Sequence, residues 1–386
     1  MFHYFPTNYV WSLSTLIALG YGGNIGEIDE ICKPILDASK NGDDVNTKAF
    51  MEVWRKFADQ LVELANEDLA LGREFSAGEK LERAGLYYLT AERMQEHGDP
   101  ERVFVYAKAL ECYDLSRKYK KENVTRVEIP YGDSHISAIY IKADTGNAKS
   151  PVVVMMNGLD SSKELLYGTP LTEKLRKRGV SLLCIDQPGT GEALRLQNLT
   201  AVYNTEVWAS PIVDWLYQQP EIDSKNIGAL GISLGGYYAP RAVAFEPRFA
   251  CGAVWGANHD WREVQQARYK NEGERPVPHY WKHVEWVFGA KDLEDFFKKA
   301  ENMHLNGVLQ NIKVPFLVTL DGDNDRQIPL KYAYETYEQL VNSPKRDLVV
   351  FTAREGGVEH CSLDNPYNAA DTIADWLAEQ LNCRVA

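Results

Sequence analysis

Residues 226–236 read Asn226-Ile227-Gly228-Ala229-Leu230-Gly231-Ile232-Ser233-Leu234-Gly235-Gly236. The apolar run predicts a buried strand and the residues from Gly236 a helix, with the G-x-S-x-G sequence of 231–235 at the reversal between them. A strand-to-helix turn this tight forces Ser233 into a strained backbone conformation. Side chains at 231 and 235 would collide with neighbouring chain, so glycine is needed there. The hydroxyl of Ser233 is thereby presented at the carboxyl end of a sheet. A Gly-rich turn with a merely structural serine is the competing reading, and the strand before the motif and the helix after it argue against that reading.

Outward from this stretch, apolar strand runs at 152–156, 181–185, 227–231, 250–255, 316–320 and 348–351 alternate with helical segments near 169–178, 206–219 and 329–341. That alternation predicts a mostly parallel, doubly wound sheet with helices on both faces, an α/β architecture. Between the strand ending at Trp255 and the one beginning near Pro315 lie about 55 residues rich in aromatics (Trp261, Tyr269, Tyr280, Trp281, Trp286, Phe288), far longer than a usual βα loop. They read as an insertion over the strand ends, its aromatics either lining a pocket or forming plain core. The first third is helical: 50–71 and 79–94 space apolar residues by three and four, without proline. Near Asn123 the period changes to two short β-branched segments, 124–130 and 135–141, around Tyr131-Gly132-Asp133-Ser134, a hairpin signal. The expected organisation is an N-terminal helical domain over 1–122, a core over 123–258, a helical insertion over 259–312, and the rest of the core over 313–386.

A serine hydroxyl is a poor nucleophile near neutral pH. It needs a base within hydrogen-bond reach, and that base needs a carboxylate to fix its tautomer. A nucleophile on such a turn is followed in the chain by the acid and then the histidine. Of the histidines after Ser233, only His360 lies beyond the next-to-last strand, in a loop after the final one. The acid is expected in Asp321-Gly322-Asp323-Asn324-Asp325. Asp325 is favoured because the turn at Gly322 carries the chain across the strand top, and Asp323 is the second choice. Negative charge developing on a substrate oxygen needs preorganised donors. The backbone N–H groups of Leu234 and of Leu159, in the loop Asn157-Gly158-Leu159-Asp160, are the candidates, with Gly158 allowing close approach.

Several other functions are excluded. Lys and Arg number 42 against 55 Asp and Glu, a net charge of −13, which argues against a nucleic-acid partner. No run approaches the ~18 apolar residues of a membrane span. The six cysteines (Cys32, Cys112, Cys184, Cys251, Cys361, Cys383) lack CxxC spacing and are expected to be reduced. The apolar stretch 10–19 has no preceding Lys or Arg and no small-residue cleavage site, so the expected location is cytoplasmic and the sequons at Asn123 and Asn198 are chance matches. The Asp321–Asp325 run is no calcium loop, because Arg326 stands where glycine is needed and Tyr332 where glutamate is. Gly20-Tyr21-Gly22-Gly23-Asn24-Ile25-Gly26 lacks the third glycine of a dinucleotide loop. His279 and His283 have Tyr280 in place of a zincin glutamate, and neither is expected to hold zinc.

From about Arg73 onward the chain resembles a known family. The residues are Arg73-Glu74-Phe75 with Ala84-Gly85-Leu86-Tyr87-Tyr88, Val127-Glu128-Ile129-Pro130-Tyr131, Asn157-Gly158-Leu159-Asp160-Ser161-Ser162-Lys163-Glu164, Asp186-Gln187-Pro188-Gly189-Thr190-Gly191-Glu192, Gly231-Ile232-Ser233-Leu234-Gly235-Gly236-Tyr237 and Glu359-His360-Cys361. Together they are similar to the α/β-hydrolases with an N-terminal helical cap: the 2,6-dihydroxypseudooxynicotine hydrolase, fungal polyketide-shortening (heptaketide) hydrolase and FrsA-like esterase group. The resemblance implies an α/β-hydrolase fold, a triad of Ser233, Asp325 and His360, a homodimer and no cofactor. It also implies a small-molecule substrate, an aryl ketone or polyketide carrying a 1,3-dicarbonyl, cleaved at a C–C bond by retro-Claisen hydrolysis. Carboxylester hydrolysis and acyl transfer are the alternatives on the same scaffold. A catalytically silent binder of small hydrophobes is the alternative from another class.

Overall fold

The computed structural model describes residues 3–41, 43–143, 149–271, 279–322 and 324–383. It divides into two compact units, Met1–Asn123 with Gly273–Trp286, and Val124–Glu272 with Val287–Ala386.

The first unit is helical. In the long helix Asp43–Ala70 the residues Phe50, Trp54, Ala58, Leu61 and Ala65 recur at steps of three and four, and all are buried. Burying each large one contributes about 1.5–3 kcal/mol. The helices Glu74–Glu92 and Pro100–Lys120 pack so closely that a Cβ on Gly85 would lie 2.8 Å from the Tyr113 ring. Asp99 caps the second of these through the N–H of Glu101, with Pro100 in its first turn, and Lys121 ends it in the left-handed region at φ +55°. A buried ion pair, Arg102 to Glu92 at 2.6 Å, ties the two together. Trp286, from the far segment of this unit, stacks on His97 at 4.3 Å and lies 5.0 Å from the Arg102 guanidinium. The glycine-rich 20–26 stretch runs from the end of the helix Tyr9–Gly20 through a turn into the helix Ile25–Cys32, whose N-terminus Asn24 caps.

The second unit carries one eight-stranded sheet: β1 Val124–Tyr131, β2 Ser134–Ile141, β3 Ser150–Met156, β4 Ser181–Ile185, β5 Ile222–Ile232, β6 Cys251–Trp255, β7 Phe316–Asp321 and β8 Arg346–Phe351. The spatial order is β1-β2-β4-β3-β5-β6-β7-β8. β1 and β2 form the antiparallel hairpin, β2 joins β4 antiparallel, and every pair from β4 to β8 is parallel. This is an α/β-hydrolase fold. β3, β4 and β6 are buried along their whole length, as strands covered on both faces must be, whereas the edge strand β1 is blunted by Arg126, Glu128 and Pro130. β5 begins five residues before the apolar run, because Ser150 pairs with Ile222 across a bulge and recruits the polar residues Asp223 to Asn226.

The strand order reverses beside β3: β4 lies on one side of it and β5 on the other. Ligands of open α/β sheets bind in the crevice at such a switch point, at the carboxyl ends of the strands. Here that point is the end of β3 and β5, where Met156 pairs with Gly231. In the insertion, Trp261 and Phe288 stack at 5.2 Å with Phe296 edge-on to both, so these aromatics form core. No helix among the described residues is long and apolar enough to cross a membrane.

Candidate active site

Ser233 sits in the turn between β5 and the helix Gly235–Phe245 at φ +59°, a region that non-glycine residues rarely occupy. The flanking glycines make the turn possible. A Cβ on Gly231 would fall 1.8 Å from the Gly235 carbonyl oxygen, and one on Gly235 would lie 2.6 Å from that of Met156. The Ser233 N–H donates to the Trp255 carbonyl at 2.9 Å, which fixes the turn to the end of β6.

His360 begins the short turn His360–Ser362 that comes after β8 in the chain. Its Nε2 lies 2.8 Å from Ser233 Oγ, and its Nδ1 lies 3.0 and 3.1 Å from the two Asp325 carboxylate oxygens. Asp325 comes from the loop after β7, and its Oδ1 also accepts from the N–H groups of Gln327 at 2.7 Å and Ile328 at 3.0 Å. These bonds hold the carboxylate toward the imidazole independently of the histidine. Burial disfavours a charged ring at His360, but the facing Asp325 carboxylate outweighs it and raises the proton affinity well above that of an ordinary imidazole. With Nδ1–H donating to Asp325, Nε2 is left to accept the Ser233 proton.

Of the other aspartates considered for this role, Asp323 lies outside the described residues. Asp321, at the end of β7, turns to a different partner. It accepts from the Ser362 N–H at 3.0 Å and the Ser362 hydroxyl at 2.5 Å, while Trp255 Nε1–H donates to the same hydroxyl at 3.2 Å. Burial pushes its carboxyl up to about 7; the bonds from Ser362 oppose the rise and the nearby Asp325 charge adds to it. Cys361 and Ser362 stand at φ +52° and +53°, so the turn bearing His360 is strained at two consecutive residues. Cys361 Sγ–H donates to the Trp255 carbonyl at 3.4 Å. This clamp has no sequence signature, since Ser362 and Asp321 belong to no motif and meet only in the fold.

The loop after β3 runs past the serine. A Cβ on Gly158 would lie 3.0 Å from Ser233 Cβ and 3.3 Å from its Oγ, so glycine keeps open the space beside the hydroxyl. Leu159 is the next residue, and Leu234 is buried at the start of the helix Gly235–Phe245. Among the described residues the N–H groups of Leu159 and Leu234 donate to no protein acceptor. Two of the remaining histidines after Ser233 are engaged elsewhere. His259 is buried against Thr336, Asn306 and Gln339, and His279 Nε2 lies 3.4 Å from Thr47 Oγ1 in the helical unit. Among the described residues no group of three or more His, Cys, Asp or Glu side chains could hold a metal ion.

Known proteins agree with this architecture. A family model described as esterase FrsA-like matches residues 57–259, and one for the prolyl oligopeptidase family matches 210–384. The 2,6-dihydropseudooxynicotine hydrolase of Paenarthrobacter nicotinovorans is 27% identical, covering 86% of this chain and 84% of the relative. The 20-hydroxy-prefusarin hydrolase FUS2 of Gibberella moniliformis is 26% identical over 87% of each chain, and the hydrolase acrC of Aspergillus aculeatus 26% identical over 92% and 93%. The crystal structure of the 2,6-dihydroxy-pseudo-oxynicotine hydrolase shares the fold at a TM-score of 0.76, with 24% identity and 97% of each chain covered. With more than half of its length matched by one family model and hydrolases among its relatives, this chain belongs to the FrsA-like esterase family and is an α/β-hydrolase enzyme.

Proposed function

We propose that the enzyme hydrolyses an aryl ketone or polyketide-like substrate at a C–C bond flanked by carbonyls, through a triad of Ser233, His360 and Asp325. The observation that carries the triad is the continuous chain of contacts from Ser233 Oγ to His360 Nε2 at 2.8 Å and from His360 Nδ1 to Asp325 at 3.0 Å. Ser233 Oγ attacks a carbonyl carbon as its proton passes to His360 Nε2, and Asp325 holds the ring in the accepting tautomer and stabilises the imidazolium. The oxyanion is met by the Leu159 and Leu234 N–H groups. The C–C bond then breaks, its electron pair leaving as an enolate that takes the proton from His360, and water hydrolyses the Ser233 acyl ester with His360 again as base. The C–C assignment draws on the relatives named as hydrolases of a pseudooxynicotine and of a prefusarin.

Ester hydrolysis is the second reading, favoured by the esterase description of the matching family model. The chemistry at Ser233 is the same; only the leaving atom, oxygen in place of carbon, differs. The test is a panel of aryl esters beside aryl β-diketones, with product masses read for the wild type and for Ser233→Ala. Diketone cleavage into acid and ketone, abolished in the variant, is the expected result. Ester turnover with no diketone cleavage overturns the C–C assignment, and turnover retained in Ser233→Ala overturns the triad.

A further inference from the structure

The sequence stretch Asp186-Gln187-Pro188-Gly189-Thr190-Gly191-Glu192 takes no part in the chemistry above, yet it grips the loop after β3 at three places. At the loop's start the Gln187 side chain meets one residue twice: the Asn157 N–H donates to Gln187 Oε1 at 3.1 Å, and Gln187 Nε2–H donates to the Asn157 carbonyl at 2.9 Å. The pattern imitates the pairing of another strand, continuing β3 one residue past its last partner. The Asn157 side chain adds a bond from Nδ2–H to the Ile185 carbonyl at 2.6 Å. In the loop's middle the Gly191 N–H donates to the Ser161 carbonyl at 3.3 Å. At its end Asp186 accepts the Lys163 N–H at 2.7 Å, and its other oxygen pairs with the buried Lys163 ammonium at 3.1 Å. Gly191 is required at its place, because a Cβ there would fall 2.1 Å from the Asp186 carboxylate. Asn157, Asp186 and Gln187 are all fully buried, so none of these groups has water as a substitute partner.

Between the first two grips lie Gly158, against the Ser233 side chain, and Leu159. A donor for a developing oxyanion is effective only if its position is set before the charge appears, and misplacement by about 1 Å costs on the order of 10²-fold in rate. We propose that Gln187 is a positioning residue of the reaction, holding Asn157 by both backbone groups so that the next N–H groups along the loop are aimed at the oxyanion site beside Ser233. This rests on the reading of Ser233 as nucleophile and of Leu159 as oxyanion donor.

The test uses the full chain and a p-nitrophenyl alkylphosphonate, which needs no knowledge of the natural substrate. Ser233 Oγ forms a bond to phosphorus, p-nitrophenolate leaves, the serine proton passes to His360, and the phosphoryl oxygen occupies the oxyanion site. Labelling is followed by the mass of the protein. Gln187→Met keeps the length of the side chain and removes both bonds; its maximal labelling rate is expected to fall about 10²-fold, with the half-saturating concentration changed less than about threefold. Gln187→Glu separates aim from folding within one protein. Ionised, it sets a carboxylate against the Asn157 carbonyl; protonated, it restores one acceptor and one donor. Its rate relative to wild type is therefore expected to climb as pH falls from 8 to 5.5, while that of Gln187→Met stays flat. Asp186, Lys163, Glu164 and Glu192, the charged groups packed beside this segment, are the same in wild type and Gln187→Met, so the flat ratio of that pair is the baseline against which the Gln187→Glu ratio is read. Labelling of Gln187→Met at the wild-type rate, or a Gln187→Glu ratio that does not change with pH, overturns the proposal. Wild type left unlabelled, or Ser233→Ala taking up label as fast, overturns the nucleophile reading beneath it instead.

Discussion

Replacing Asp321 by Asn is expected to change how stability depends on pH, by an amount the structure sets. The carboxyl is 1% exposed and its pKa is pushed up to about 7 from an ordinary 3.8, chiefly by burial. A raised carboxyl pKa means that the folded protein holds a proton the unfolded chain has released, so this group's contribution is fully favourable only below the unfolded value and is lost as pH rises toward 7. A shift of about 3 units corresponds to about 4 kcal/mol, accumulated at about 1.4 kcal/mol per pH unit across the window between the two values. Asparagine stays neutral throughout. It still accepts the Ser362 N–H but no longer takes the Ser362 hydroxyl in the same way, a loss of about 1 kcal/mol that does not vary with pH. The variant is therefore expected to gain on wild type by about 1.4 kcal/mol per unit between pH 5 and 6.5, and to level off above pH 8 as the more stable protein. Urea unfolding monitored by tryptophan fluorescence at half-unit pH steps measures the difference, and titrating groups remote from Asp321 cancel in it, leaving Asp321 and its charged neighbours Asp325 and His360. Two stability curves that run parallel from pH 5 to 8.5 would refute the reasoning, because they would mean that Asp321 ionises in the folded protein as it does in the unfolded chain.

The remaining predictions concern the imidazole and the turn. Because Asp325 raises the proton affinity of His360 and only the neutral ring accepts the serine proton, activity is expected to rise with pH through a midpoint above the ~6.5 of a free imidazole. In Asp325→Asn the midpoint moves down toward that value and the plateau falls by about 10³-fold or more; equal midpoints in the two kcat/KM profiles would contradict the assignment. Gly231→Ala drives a methyl to 1.8 Å from the Gly235 carbonyl and is expected to cost more than about 4 kcal/mol, read as a collapse in melting temperature. Gly228→Ala on the same strand meets nothing nearer than 3.2 Å and is its control, with a loss of about 1 kcal/mol or less.

Features dictated by near neighbours in the chain were legible in the sequence. Gly231 and Gly235 are required by a turn five residues long, and the left-handed φ of Ser233 arises from the same sterics. The alternation of apolar runs pointed to the parallel sheet, because strands buried on both faces carry that pattern whatever they pair with. The polar start of β5 was not legible: Asp223 to Asn226 are in the strand because Ser150, some 70 residues earlier, pairs with Ile222. Nor was the division of the 259–312 insertion between two compact units. Trp286 goes with the helical unit through His97 and Arg102, which lie nearly 190 residues away and have no local pattern to announce them. The aspartates after β7 divide along the same line. Their position after the next-to-last strand is a matter of order along the chain. That Asp325 faces His360 while Asp321 faces Ser362 depends on how a strained two-residue turn after β8 presents its donors. Groups that would bear the chemistry are therefore found from local motifs and chain order, whereas what Asp321 and Gln187 hold, one at each loop, becomes visible only once distant segments have been brought to the same strand ends. A variant series confined to Ser233, His360 and Asp325 would leave both untouched, and it is at Gln187 that rate is expected to be lost with those three residues in place.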